Sequence, residues 1–448
     1  MLVPLTQACA LLALSSVALS APVQQIPFSD TSIAQPKLSL ASLNIEPSLR
    51  SRLDQHIASL PEKRLVQLAD DAQPIEVTEG EKSILVMKGI RFVDVTEEDP
   101  ALVAAAQVAI AGQGASKHTP FPAAVHFQTV PDLCSSNQTD AFPTKLSYSV
   151  KQAQPLFDTI SLERMKTFLT RFSGFHTRYY RSSTGKQSQE FLLNHVKEII
   201  KSNPKIADSI SVKEFPHSWG QNSIILRFEP SSKASALRKK QGKEQVVILG
   251  AHQDSTNMFP FLAAPGADDD GSGTTTLVEA LTVLVNASFI PSDHPVEFHW
   301  YSAEEGGLLG SQAVAQSYAR DGKKVRSMLQ MDMTAFVKPG TTPTYGIIRD
   351  FVSPEFTDLV ALLIDEYGDI SRTDTQCGYA CSDHASWSKV GAPSAFAIES
   401  SFPDSNKKIH SSGDTIQNEG FSFEHMRSFV RLSVGMTLEM GGAEKLFS

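Results

Sequence analysis

Residues 246–273 read VVILGAHQDSTNMFPFLAAPGADDDGSG and constrain the rest of the chain. The opening run of branched apolar residues has no polar alternation, which predicts a strand buried on both faces. The run ends on His252 and Asp254. A loop then leads to the carboxylate cluster Asp268, Asp269 and Asp270, and a Gly-Ser-Gly stretch opens a helix. Open α/β sheets place their sites at the carboxyl ends of parallel strands. A His, a neighbouring Asp and an Asp cluster at that position point to a metal.

The later chain repeats the pattern. PVEFHWYSAEE (295–305) reads as a strand ending on Glu304 and Glu305, and MLQMDM (328–333) as a strand ending on Asp332. SAFAIES (394–400) is a further strand, and His410 follows a short loop. Helical spacing appears at about 161–172, 187–201, 272–285, 309–320, 355–367 and 423–439. SVKEF (211–215) and SIILRF (223–228) read as strands. RSSTGKQS (181–188) lacks the first Gly of a phosphate loop and reads as a plain loop; LRKKQGKE (237–244) reads as a solvated turn. Strands alternating with helices predict an α/β fold: a mostly parallel mixed central sheet with helices on both faces.

The strand ends and loops would deliver His252, Asp269, Glu304, Glu305, Asp332 and His410 to one edge of that sheet. Imidazole with carboxylate suits zinc, whereas carboxylates alone would suit magnesium or calcium. Two His and three carboxylates exceed one tetrahedral zinc with an open position, and fit two metals sharing one carboxylate and one water. Taken singly, each residue has a plainer reading: a hydrogen-bonded His, a helix cap, a solvated Glu pair. Together they do not, because unpaired carboxylates crowded at one edge repel each other without a cation.

The chain of 448 residues suits one large domain with an N-terminal extension, and its net charge of −9 argues against nucleic acid or an anionic membrane as the main partner. The first twenty residues are apolar and end in small side chains, too short and too terminal for a membrane span. They read as a secretory signal cleaved near Ser20–Ala21, which removes Cys9. Residues 21–100 hold no chemical motif and read as a pro-segment of one or two helices and then a short strand pair. Within it Lys63-Arg64 reads as a solvated charged pair rather than a processing site. Residues 101–140 are rich in Ala, Gly and Pro and read as a linker, leaving 141–448 as the catalytic domain. Secretion gives weight to the sequons at Asn137 and Asn286. Cys377 and Cys381 lie four apart in CGYAC. They read as a disulfide rather than a structural zinc pair, because a second pair is needed for zinc and Cys134 alone remains.

The ordered motifs H-x-D, A-P-G-A-D-D-D-x-S-G, A-E-E-x-G-L-x-G-S, Q-x-D-M, C-G-Y-A-C-S-D-H-A-S-W and I-H, spread over 141–440, resemble those of the secreted leucine aminopeptidases of fungi and bacteria. That family consists of co-catalytic di-zinc exopeptidases. The segment around FVDVTEED is also similar to the end of the fungal pro-segment. The resemblance implies that Asp269 and a water or hydroxide bridge two Zn²⁺ ions. It implies His252 and Asp332 on one ion, Glu305 and His410 on the other, and Glu304 as general base. Asp254 would orient His252 through its far ring nitrogen. The Asp269–Asp270 peptide would be cis. Position matching implies an apolar pocket of Met333, Ile348, Cys377, Tyr379, Cys381, Phe396, Ile398, Phe402 and Ile409, with the disulfide stiffening its wall. A peptide with a free amino terminus would be the substrate, bulky apolar first residues would be preferred, and the enzyme would act as a monomer. Asp383 and His384 read as structural, and six other His residues have no motif around them. Glutaminyl cyclases and carboxypeptidases share such a sheet, and non-catalytic binding relatives exist. The full ligand set, Glu304 and the CGYAC loop speak against all three.

Overall fold

The branched run forms the centre of an eight-stranded sheet in the computed structural model, which describes residues 38, 40, 45–69, 72–112 and 141–447. The described residues fall in one compact unit, Lys37–Ser448. The signal stretch, Cys134, Asn137 and most of the linker lie outside the described residues. The N-terminal part comprises α1 (Pro47–Ser59), β1 (Lys63–Gln67), β2 (Ile75–Thr78), α2 (Lys82–Met87), β3 (Val93–Asp94) and α3 (Pro100–Gly112). There follow α4 (Val150–Phe157), α5 (Leu162–Phe172), α6 (Ser183–Lys201), β4 (Ile210–Phe215), β5 (Ser223–Phe228), α7 (Lys233–Lys240), β6 (Gln245–His252) and α8 (Gly271–Asn286). Next come β7 (Val296–Tyr301), α9 (Leu309–Arg320), β8 (Lys324–Met331), β9 (Thr344–Ile348) and α10 (Pro354–Tyr367). The chain ends with β10 (Ser371–Thr375), α11 (His384–Lys389), β11 (Ser394–Ile398), α12 (Phe423–Gly441) and α13 (Glu444–Phe447).

The large sheet runs β10-β9-β11-β8-β6-β7-β5-β4. Its centre, β11-β8-β6-β7, is parallel; the β9–β11, β5–β7 and β4–β5 pairs are antiparallel. Alternation along each strand separates the two covered faces. Val247, Leu249 and Ala251 of β6 join Phe298, Trp300, Leu329 and Met331 in a core shared with α5, α8 and α12. Val246 and Ile248 turn the other way, to Tyr301, Met328, the α9 residues Val314, Ala315 and Tyr318, and Trp387 of α11. Burial on both sides is why β6 reads as an unbroken apolar run.

The Gly-Ser-Gly stretch begins α8 for a packing reason. A Cβ at Gly273 would lie 2.2 Å from the Met331 carbonyl oxygen, so α8 can approach β8 only with glycine there. Asp270 caps the helix by accepting from Gly273 N at 2.8 Å. Such a cap contributes on the order of 1 kcal/mol.

Several expectations shift in detail. RSSTGKQS is not all loop: Ser182 caps α6 by accepting from Gly185 N, and the helix starts at Ser183. The basic run read as a turn lies partly in α7, whose Ser232 cap the charge pattern hides. Glu304 and Glu305 lie past the end of β7 rather than on it. In the N-terminal part, KSILVM forms α2, not a strand, with Ile84 and Leu85 each buried in a separate apolar cluster. The strand pair is instead β1 with β2, and β3 joins the other edge of β1. Arg64 is not solvated. Strand alternation exposes Lys63 and buries Arg64, whose Nε donates to Asp94 Oδ2 at 2.8 Å. The stretch read as a linker opens with α3, which packs on α9 and α11. Asn286 is exposed at the end of α8. No helix among the described residues is long and apolar enough to cross a membrane.

The N-terminal part is fastened to the rest by buried charge. Glu79 and Asp94 hold Lys82 at 2.9 Å each, and Lys82 Nζ donates to Gly306 O at 3.0 Å. Tyr180 donates to Glu79, and Asp94 N donates to Gly307 O at 3.1 Å. Arg91 lies 3.8 Å from the Tyr379 ring centroid and donates to Cys377 O at 3.4 Å; Arg52 lies 4.2 Å from that of Phe261.

Three imidazoles, those of His384 and His425 buried and that of His217 half-buried, resist protonation in the fold. His217 stacks on Trp219, His425 contacts Glu399 O at 2.8 Å, and His384 lies against Phe396. Burial lowers their imidazoles from 6.5 to about 4 for His217 and His425 and about 3 for His384. The folded form therefore binds fewer protons than the unfolded one below pH 6.5. Their contribution is full above that pH and is lost as pH falls toward about 4. Urea unfolding of protein stripped of divalent ions should show the stability difference between wild type and His217→Asn moving against wild type between pH 7 and pH 4.5, because only wild type carries this imidazole.

Candidate metal centre

The carboxyl ends of β6 and β8 and the loops after β7 and β11 converge at one edge of the sheet. His252 ends β6, and its Nε2 lies 3.2 Å from Asp269 Oδ1 and 3.7 Å from Asp332 Oδ2. His410 Nε2 lies 3.1 Å from Asp269 Oδ2 and 2.9 Å from Glu305 Oε2. Two groups of possible ligands result, His252 with Asp269 and Asp332, and Asp269 with Glu305 and His410. Asp269 belongs to both and turns a different oxygen to each imidazole. Glu304 belongs to neither; its Oε2 lies 4.0 Å from His252 Nε2. The Glu304 side chain is 13% exposed and that of His410 34%, so the site opens on this side.

The outer residues hold these groups by their backbones. Asp254 lies 3.5 Å from His252 Nδ1, and its two oxygens accept from Glu304 N at 3.1 Å and Glu305 N at 3.2 Å. One carboxylate thus ties the end of β6 to both glutamates. Asp270 accepts from His252 N, Gly273 N and Met333 N, joining β6, α8 and the end of β8. The Asp269–Asp270 peptide is cis. Asp268 turns away from the centre, accepting from Ala335 N and Asn406 Nδ2. Ala303, Met333 and His410 adopt positive φ of 58°, 54° and 55°. Non-glycine residues in that region cost energy and gather at functional sites.

Sequence reasoning missed three supports. Asp414 accepts from Asp268 N and Asp269 N, fixing the backbone under the shared carboxylate. Ser382, not Asp383 or His384, touches the centre: its Oγ donates to Asp332 Oδ2 at 2.6 Å. Asp383 accepts from Gln330 instead. Arg178 is fully buried, donating to Gln253 O and Gly266 O, which sets one cation beside the acidic loop. Burial lowers it to about 10. Asp414 and Arg178 stand in no motif and meet backbone groups, and Ser382, though inside the CGYACSDHASW stretch, meets a side chain fifty positions away; the fold brings all of these partners together.

The electrostatics call for a cation. Burial, and then the Glu305, Asp383 and Asp332 carboxylates, raise the Glu304 carboxyl well above its usual range despite His252. Burial also raises Glu305. Burial pushes the imidazoles of His252 and His410 down, but the surrounding carboxylates outweigh it and raise both. The charges are thus traded as protons where a divalent ion would hold them. His252 Nε2, Asp332 Oδ1 and Glu305 Oε1 are buried without a hydrogen-bond partner. Unpartnered imidazole and carboxylate atoms fit zinc.

All nine residues expected in the pocket fall in one apolar cluster. Met333 enters it beside Asp332 and Ile409 beside His410, so the cluster adjoins the centre. Cys377 and Cys381 form a disulfide at its edge.

A mixed sheet with imidazoles and carboxylates gathered at its carboxyl edge is the framework of a metal-dependent enzyme. Residues 234–432 match the model of peptidase family M28. A protein of Coccidioides posadasii called leucine aminopeptidase 1 is 40% identical over 397 residues, spanning 87% of this chain and 92% of its own. A protein of the same name from Leptosphaeria maculans is 46% identical over 318 residues, 69% of this chain and 78% of its own. The LapA aminopeptidase of Legionella pneumophila has the same fold, with a TM-score of 0.66 at 24% identity over 85% of this chain and 98% of its own. The chain belongs to peptidase family M28, among the fungal leucine aminopeptidases. It is a zinc-dependent aminopeptidase, a hydrolase of peptide bonds.

Asp254→Ala should weaken zinc binding about 10–100-fold, since it removes the partner of one imidazole and two backbone anchors. Competition with a chelator measures the change.

Proposed function

We propose that the enzyme removes amino-terminal residues, preferably leucine and other bulky apolar ones, from peptides using two zinc ions. His252 and Asp332 hold one ion, Glu305 and His410 the other, and Asp269 with a water or hydroxide bridges them. The observation that carries this reading is the division of Asp269, whose two oxygens lie 3.2 Å and 3.1 Å from the two imidazoles. Bound zinc would lower the pKa of a coordinated water from ~15.7 toward ~7 and polarise the scissile carbonyl.

The chain's own residues do the rest. Glu304 takes the proton of the attacking water and passes it to the leaving amine. Its place favours that role, because it stands beside both ligand groups, 4.0 Å from His252 Nε2, without belonging to either. Asp254 keeps Glu304 and Glu305 in place through their amides. The substrate's ammonium group meets the acidic edge on the open His410 side, which selects free amino termini. A leucine side chain enters the cluster of Met333, Ile348, Tyr379, Phe396, Ile398, Phe402 and Ile409. Its burial there contributes about 1.5–3 kcal/mol.

Residues 21–100 serve as a pro-segment, and the protein is secreted after cleavage near Ala21 and acts as a monomer. The pro-segment reading is supported by Lys82 and Asp94 on Gly306 and Gly307, Arg91 on Tyr379 and Arg52 on Phe261. These contacts touch three loops around the centre. The active form should begin beyond Pro100; amino-terminal sequencing that finds a start near Ala21 would refute the pro-segment.

Glu304→Gln should keep its zinc and lose turnover by about 10²–10⁴-fold. Hydrolysis of Leu-4-nitroanilide with elemental analysis on the same sample checks this, and an unchanged kcat would exclude Glu304 as the base.

A further inference from the structure

Asp350 stands two residues beyond Ile348, at the turn leaving β9. Its Oδ1 accepts from Cys377 N at 3.1 Å and its Oδ2 from Gly378 N at 2.6 Å. Both oxygens are thus given to consecutive amides of the CGYAC loop. That loop belongs to no strand or helix, so these amides have no ladder to join. Ionised acceptors make such hydrogen bonds about twice as strong as neutral ones. Gly378 has φ +80°, which frees the chain to turn both amides toward one carboxylate. At its far end the loop is closed by the Cys377–Cys381 disulfide, and Ser382 is tied to Asp332. Between the anchors, Tyr379 faces Phe402 across the apolar cluster, with ring centroids 6.3 Å apart.

We propose that Asp350 is a positioning residue that fixes the Tyr379 wall of the pocket and thereby sets the preference for bulky first residues, an inference that rests on the pocket reading above. The disulfide closes the loop on itself but does not place it. The far anchor holds the loop to the metal centre, and Asp350 holds it to β9, the strand that supplies Ile348. Arg91 also holds Cys377 O and Tyr379 but leaves with the pro-segment, so in the active form removing the Asp350 carboxylate leaves two amides to water and frees the near end. The wall then loses contact with a leucine side chain, whereas an alanine side chain never reached it. Asp350 makes no hydrogen bond or ion pair with Glu304 or with any of the five proposed ligands, so the chemistry of the bond-breaking step stays in place.

The test compares wild type, Asp350→Ala and Asp350→Asn in the active enzyme, with Leu-4-nitroanilide and Ala-4-nitroanilide. In Asp350→Ala the Leu/Ala ratio of kcat/KM should fall about tenfold, the scale on which small apolar differences are discriminated. The change should lie in KM for the Leu substrate, with kcat for the Ala substrate and zinc content unchanged. Asp350→Asn keeps one acceptor and should fall between. Dithiothreitol should reduce the Cys377–Cys381 bond faster in Asp350→Ala than in wild type. If wild type prefers Leu and the ratio does not move, or both substrates lose equally, the assignment of Asp350 is overturned and the pocket reading stands. If wild type itself shows no preference for Leu, the pocket reading falls and the specificity role of Asp350 with it.

Discussion

Burying several carboxylates within a few ångströms of one another is the constraint that shapes this protein. An isolated buried charge costs several kcal/mol, and like charges add repulsion. The fold meets that cost locally and with backbone. Asp254, Asp270 and Asp414 accept amide hydrogens from the residues that bear the inward-facing groups. Each such bond stabilises an anion and at the same time fixes a ligand's main chain. Arg178 adds one full positive charge from beneath. At the centre itself Asp332 Oδ1 and Glu305 Oε1 stay buried without a hydrogen-bond partner, which is why its chemistry is that of a cation site.

Much of this was legible in the chain because burial and periodicity leave strong marks. The unbroken apolar run of β6, flanked by His252, could hardly be anything but a central strand. The six ordered motifs indicated which polar residues would meet, and the structure does bring His252, Asp269, Glu305, Asp332 and His410 together. What could not be read was support that depends on long-range closure. Ser382 reaches Asp332 across fifty positions, and Asp414 reaches Asp269 across 145. A serine and an aspartate in loops carry no local signal of such partners. The N-terminal part was the least legible. Its strands are short, and α2, six residues long, is buried on two sides, which erases the amphipathic stripe that would identify it.

The same difference in scale separates the two halves functionally. The centre rests on the large sheet, where strand register and helix packing leave little freedom. The apolar cluster beside it takes Ile348, Phe396 and Ile398 from β9 and β11, but its other members come from connecting segments held by a few polar anchors. Family M28 membership fixes the first half, and the second is where enzymes built on one framework can diverge in the residues they accept. The charged fastening of the N-terminal part, through Lys82, Glu79 and Asp94, is of the loop kind too. It grips Gly306 and Gly307 immediately after the two glutamates, without sharing their sheet.

The alternation of β6 limits how such a chain can change over evolutionary time. Inserting or deleting one codon between Val246 and His252 would exchange the faces of Val247, Leu249 and Ala251 for those of Val246 and Ile248. The imidazole at the strand's end would swing to the opposite side of the sheet, away from every partner it has. Length variation among descendants should therefore accumulate in the exposed turns and be purged from this strand, even where every replacement residue is apolar.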